Sequence, residues 1–188
     1  MNYHYYCLLF IFSLIPTAIT DLHGCEPGSG SEFKIAQEVT STGPFRFKYK
    51  RFLPLYDISL IVPMGIEPGE VFSGMHPFSL NFTYLRRIKK AIIIKSANIT
   101  LNKNLNLQAF PKLENQVAGL HEKYVTVNKK DQAKFLYCPN HGTDFLLNGQ
   151  LIHTIPGKQF AELYFKVWFG EHPISSKIKG KLLNFSNK

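Results

Sequence analysis

The chain has 188 residues, 45% apolar and 14% aromatic, with 22 Lys and Arg against 13 Asp and Glu, giving a formal net charge of +9. That length allows one domain with a sizeable core, since folding at this size buries roughly two thirds of the surface. The charge favours anionic partners such as anionic lipid headgroups or acidic small molecules; no nucleic-acid-binding module is visible, so nucleic acid is not an expected partner. The histidines are scattered and there is no Cys-x-x-Cys pair, so neither a metal nor a cofactor is expected.

Residues 1–20 carry no Lys, Arg, Asp or Glu, and the apolar run Cys7–Ile15 suits the core of a signal peptide. It falls well short of the roughly 20 residues that span a bilayer. The expectation is export to the periplasm or the exterior with 1–20 removed; a buried N-terminal element of the fold is the alternative. If Cys7 leaves with that segment, Cys25 and Cys138 remain, and an oxidising compartment would let them pair. Leu22-His23-Gly24-Cys25 also loosely matches a bacterial lipoprotein cleavage box, although Asp21 and His23 suit it poorly. Residues 21–31, with Pro27-Gly28-Ser29-Gly30-Ser31, read as a linker, which leaves 32–188 as the folded domain.

Phe33–Val39 reads as a first strand and Thr40-Ser41-Thr42-Gly43-Pro44 as a turn. From Phe45 to Arg51 aromatic and basic residues alternate, which predicts a strand with one apolar and one cationic face. Leu55–Val62 is a further strand, followed by a Pro- and Gly-rich loop to Pro77. Phe78, Leu80, Phe82 and Tyr84 share one face of the next strand. Between Lys89 and Asn106, Ile92-Ile93-Ile94 favours a strand while Ile94, Ala97 and Leu101 stand at helical spacing. A helix follows around Leu113–Lys123. Ala133–Tyr137, Thr143–Leu147 and Leu151–Ile155 are strands, the last two joined by Asn148-Gly149, which supplies the positive φ angles of a two-residue hairpin. Pro156-Gly157 ends the last strand. Lys158–Phe169 then places Phe160, Leu163, Tyr164, Val167 and Trp168 at helical spacing before Gly170, and a short basic helix runs to Leu183. About six or seven strands with hairpin connections, and helices gathered in the middle and at the end, predict an α+β fold: a large antiparallel sheet with helices packed on one face.

The run GTDFLLNGQLIHTIPGKQFAELYFKVWFGEHPISSKIKGKLL, preceded in order by LYDISLIV (Leu55–Val62) and PFSLNFTYLRRI (Pro77–Ile88), resembles the chalcone isomerase-like family, in particular its bacterial branch, over roughly residues 45–185. The resemblance implies an open-faced β-sandwich with a ligand cleft between sheet and helices, and it favours helix for Lys89–Asn106. It does not by itself imply the isomerase reaction.

In that family an Arg, a Thr, a Tyr and an Asn orient a polyphenol whose phenoxide adds to an enone. Gly43-Pro44-Phe45-Arg46 places Arg46 at the family Arg, with Lys48 or Arg51 as alternatives if the strand is longer. Tyr56, or its neighbour Asp57, stands where true isomerases have Thr, which puts cyclisation in doubt. Asn98 and Tyr124 are only nearby candidates for the family's Asn and Tyr. An Arg46 guanidinium with a Tyr56 hydroxyl suits a carboxylate, so the expected activity is non-catalytic binding of a small amphipathic anion such as a fatty acid. The alternatives are an intramolecular lyase acting on a phenolic enone, and an envelope protein whose basic face meets an anionic membrane surface. A triad of His141, Asp144 and Ser59 or Ser73 can be imagined, but no Gly-x-Ser-x-Gly elbow supports it.

Overall fold

The computed structural model describes residues 25–27, 33–35, 38–106, 108 and 110–185. The proposed signal segment 1–20 therefore lies outside the described residues.

Six strands form one antiparallel meander: β3 (Val39–Tyr49), β4 (Leu53–Pro63), β5 (Phe78–Tyr84), β6 (Gln132–Cys138), β7 (Gly142–Leu147) and β8 (Gln150–Pro156), each paired with its neighbour in sequence. β1 (Cys25–Pro27) and β2 (Phe33–Ile35) make a small separate ladder. The helices are α1 (Lys90–Asn104), α2 (Pro111–Lys123), α3 (Lys158–Tyr164), α4 (Lys166–Phe169) and α5 (Ser176–Leu182). This is the α+β architecture expected, with Lys89–Asn106 resolved as helix.

Period-two alternation selects the inner face. In β4, Tyr56, Ile58, Leu60 and Val62 are buried, while Leu55, Asp57, Ser59 and Ile61 between them remain partly open. Leu80 and Phe82 of β5 and Phe135 and Tyr137 of β6 continue that face. Phe160, Tyr164, Phe165 and Val167 close on it from α3 and α4, each at most 1% exposed. Phe165 meets Phe78 edge-on at 4.8 Å and Phe135 at 5.6 Å between ring centroids, geometry that satisfies the ring quadrupoles.

Asn148 and Gly149 turn β7 into β8 with φ of 51° and 79°, as the Asn-Gly pair predicts. Thr40–Pro44 does not turn the chain. β3 runs straight through it and absorbs Gly43-Pro44 as an irregularity between Thr42 and Phe45, with a cis peptide at Pro44. β3 is an edge strand, where a proline without an N–H is tolerated. Gly43 is required there, because at its φ of +99° a Cβ would stand 2.7 Å from the Ile58 carbonyl oxygen. The expected strand Phe33–Val39 divides accordingly: Phe33–Ile35 pairs with Cys25–Pro27, and Val39 opens β3. Lys158–Phe169 likewise forms two helices, α3 and α4, meeting at Phe165.

Cys25 and Cys138 form a disulfide, with Cα atoms 6.0 Å apart. It ties β1, which lies inside the stretch read as a linker, and its partner β2 to the outer face of β6, where Leu136 and Ile35 pack against it.

Candidate functional site

The sheet's inner face is not filled along its whole length. α3 lies on β7 and α5 against β3, whereas the main packing partner of α1 is α4. α1 is pinned at its C-terminal end: Asn104 Nδ2 donates to the His172 carbonyl at 2.9 Å, and the His172 N–H donates back to Asn104 Oδ1 at 2.9 Å. At its other end the Lys90 N–H donates to Thr126 Oγ1, 3.2 Å away. Spanned between these anchors, α1 roofs a cavity of about 850 Å³. Tyr56, Phe82, Phe135 and Phe145 form the floor, Ile93, Ala97 and Thr100 the roof, and Tyr164 and Trp168 the wall.

The interior is apolar apart from a cluster of hydroxyls. Tyr124 and Tyr164 share a hydrogen bond, with their oxygens 2.7 Å apart. Tyr56 stacks on Phe47 at 4.9 Å and meets Tyr84 edge-on at 6.2 Å. Burial pushes the Tyr56, Tyr84 and Tyr164 hydroxyls far above the ordinary phenol value, and raises Tyr124 as well. All four are therefore neutral hydrogen-bonding groups. The Trp168 indole N–H is buried and directed at the Tyr56 hydroxyl, though without the geometry of a full hydrogen bond.

The mouth is different. Arg86, Arg87, Lys89, Lys95 and Lys103 line the cavity, each exposed to solvent. Among the described lining residues there is no Asp or Glu. The first three come from the stretch between β5 and α1, the last two from one face of α1. The site thus has an oily interior and a rim whose charged side chains, among the described residues, are all cationic.

Tyr56 lies inside the cavity, but Arg46 does not join it. Arg46 stands on the outer face of β3, where Nε and Nη2 donate to the two carboxylate oxygens of Asp57, both at 2.9 Å. The register explains this: Phe47 pairs with Tyr56 facing inward, so their neighbours Arg46 and Asp57 pair facing outward. Lys48 and Arg51 are also exposed and outside the lining, whereas Tyr124 belongs to it. Asn98 borders a separate shallow depression on the far side of α1. His141 Nε2 and Asp144 Oδ1 are 2.9 Å apart, and Thr154 Oγ1 donates to the same oxygen at 2.6 Å; no described hydrogen bond joins either to Ser59 or Ser73. Among the described residues no group of three or more His, Cys, Asp or Glu could hold a metal. Sequence reasoning missed the rim. The available signal was the run Leu85-Arg86-Arg87-Ile88-Lys89-Lys90 directly after a core strand.

No curated protein matches the sequence. Among solved structures, a fatty-acid-binding protein of Arabidopsis thaliana superposes with a TM-score of 0.56 at 8% identity, over 81% of this chain and 92% of its own. That likeness concerns the fold. The profile of the chalcone isomerase-like family matches residues 44–184, three quarters of the sequence, and contains every strand of the large sheet beyond the first residues of β3, with all five helices. The chain belongs to the chalcone isomerase-like family.

Proposed function

We propose that this protein binds a small amphipathic anion such as a fatty acid, tail inward, without transforming it. The observation that carries the reading is the division of the cavity between an aromatic interior and a rim of five cations with no carboxylate. A volume of about 850 Å³ falls in the range of about 300–1,000 Å³ typical of ligand pockets. Burying an unpaired carboxylate is costly, whereas an alkyl chain gains roughly 25 cal/mol per Å² of apolar surface removed from water. The headgroup therefore belongs at Arg86, Arg87 and Lys89 and the chain against Phe82, Phe135 and Trp168. Tyr56 contributes to the floor, and its hydroxyl meets polar atoms of a ligand that reaches it. The name of the Arabidopsis neighbour supports a fatty acid as the ligand class. The Cys25–Cys138 disulfide supports export to an oxidising compartment, periplasmic or extracellular.

Isomerisation would need a fixed cation beside the reacting phenoxide, and the described lining Lys and Arg are all at exposed positions. The test is titration with a fluorescent fatty acid. Arg86→Glu/Arg87→Glu/Lys89→Glu is expected to weaken binding at least tenfold, while Arg46→Ala binds as wild type. Equal affinity in the charge-reversed variant overturns the headgroup assignment, and loss of chalcone absorbance on mixing overturns the non-catalytic reading.

A further inference from the structure

The tip of the β3–β4 hairpin has an unusual composition for a turn: Tyr49-Lys50-Arg51-Phe52. Lys50 and Arg51 both adopt positive φ, 48° and 69°, where Gly or Asn would be at ease. Tyr49 is 52% exposed and Phe52 74% exposed, the most open large apolar side chain described. Lys50 Nζ lies 5.6 Å from the Tyr49 ring centroid. The tip stands at the cavity mouth, because Tyr49 and Leu53 on either side of it both line the cavity.

Three more exposed apolar residues belong to the same rim: Ile92 and Ile99, two turns apart on α1, and Val125 after α2. They alternate with the cations already described, Lys95 and Lys103 on the same face of α1 and Arg86, Arg87 and Lys89 beside it. Aromatic and aliphatic side chains interleaved with Lys and Arg, and no acid among the described lining residues, complement one kind of surface: hydrocarbon beneath a layer of negative headgroups. Free fatty acid in solution calls for a cation at the mouth, but not for a hairpin tip that holds Phe52 in water.

We propose that this collar docks on an anionic bilayer, with the hairpin tip inserted among the headgroups and the cleft facing the membrane, so that a lipid anion passes between bilayer and cavity without crossing water. The proposal rests on the ligand reading above and adds a partner surface to it. Lys50, Arg51 and Phe52 do not line the cavity, so the two can be separated.

The experiment is co-sedimentation of the full chain with vesicles of phosphatidylcholine alone and of phosphatidylcholine with phosphatidylglycerol, beside solution binding of a fluorescent fatty acid. Wild type is expected to partition onto the anionic vesicles and to be released by salt. Lys50→Glu/Arg51→Glu/Phe52→Ser is expected to lower that partitioning at least about tenfold, with solution binding of the probe unchanged. Equal partitioning onto the two vesicle types, or undiminished partitioning of the triple variant, overturns the docking surface. Partitioning lost by the tip variant in a protein that binds no fatty-acid probe leaves docking standing and removes the ligand reading instead. A circular dichroism spectrum identical to wild type excludes misfolding as the cause of any loss.

Discussion

Tyr124→Phe removes one hydroxyl from the wall of the cleft and nothing else. In the native protein its oxygen lies 2.7 Å from that of Tyr164, and Tyr164 is 0% exposed. After the substitution the Tyr164 hydroxyl keeps its burial and loses its partner. An orphaned buried hydroxyl costs about 1–3 kcal/mol, well above the net worth of the bond itself. For a chain of this size each kcal/mol moves the melting point by about 2–4 °C, so a fall on the order of 5 °C is expected. Tyr164→Phe should cost a similar amount. The double variant leaves no orphan, so its total cost should be about the net worth of the bond, roughly 0.5–1.5 kcal/mol, well short of the sum of the singles. Urea unfolding of the four proteins measures the cycle. Strict additivity, or single variants as stable as wild type, would refute the claim that this wall is desolvated, because water in the cleft would then be serving the orphan.

His121 is buried beside Tyr124, and burial together with the nearby charge of Lys90 lowers its pKa from the usual 6.5 to about 4. The unfolded chain therefore binds the proton more readily between those values, and stability should fall as pH drops from about 6.5 toward 4. His121→Gln should flatten that part of a denaturation-versus-pH curve, and an unchanged slope would show that another group is responsible. The disulfide links residues 113 positions apart, and the loop-entropy argument puts its contribution at roughly 5 kcal/mol. Reduction, or Cys25→Ser with Cys138→Ser, should lower the unfolding free energy measured in urea by up to that amount while leaving fatty-acid affinity intact, since neither cysteine lines the cavity; a loss of affinity would show that β1 and β2 hold the site.

Local chemistry was legible wherever one short-range cause dominates. Asn148-Gly149 forces a hairpin, alternation in Phe78–Tyr84 marks one buried face, and the aromatic spacing of Lys158–Phe169 demands helical packing on a sheet. From these the sequence by itself determined an antiparallel sheet of six or seven strands with helices packed on one face; it left Tyr56 and Asp57 as alternatives for the site, and the register of β4 brings Tyr56 to the cavity. The sequence did not determine which cation meets the ligand. Alternation in Phe45–Arg51 set Arg46 and Phe47 on opposite faces, but the family resemblance pointed to Arg46 as the ligand's cation; the pairing of Phe47 with Tyr56 turns the aromatic face inward and leaves Arg46 outside with Asp57. Likewise Ile92, Lys95 and Ile99 share a face once the segment is a helix, but whether that face meets core, water or a cleft depends on Asn104 fastening α1 to the backbone of His172 in a segment 68 residues away. Periodicity says that a face exists; what lies opposite it is decided by contacts between residues distant in sequence, and those form only in the folded chain.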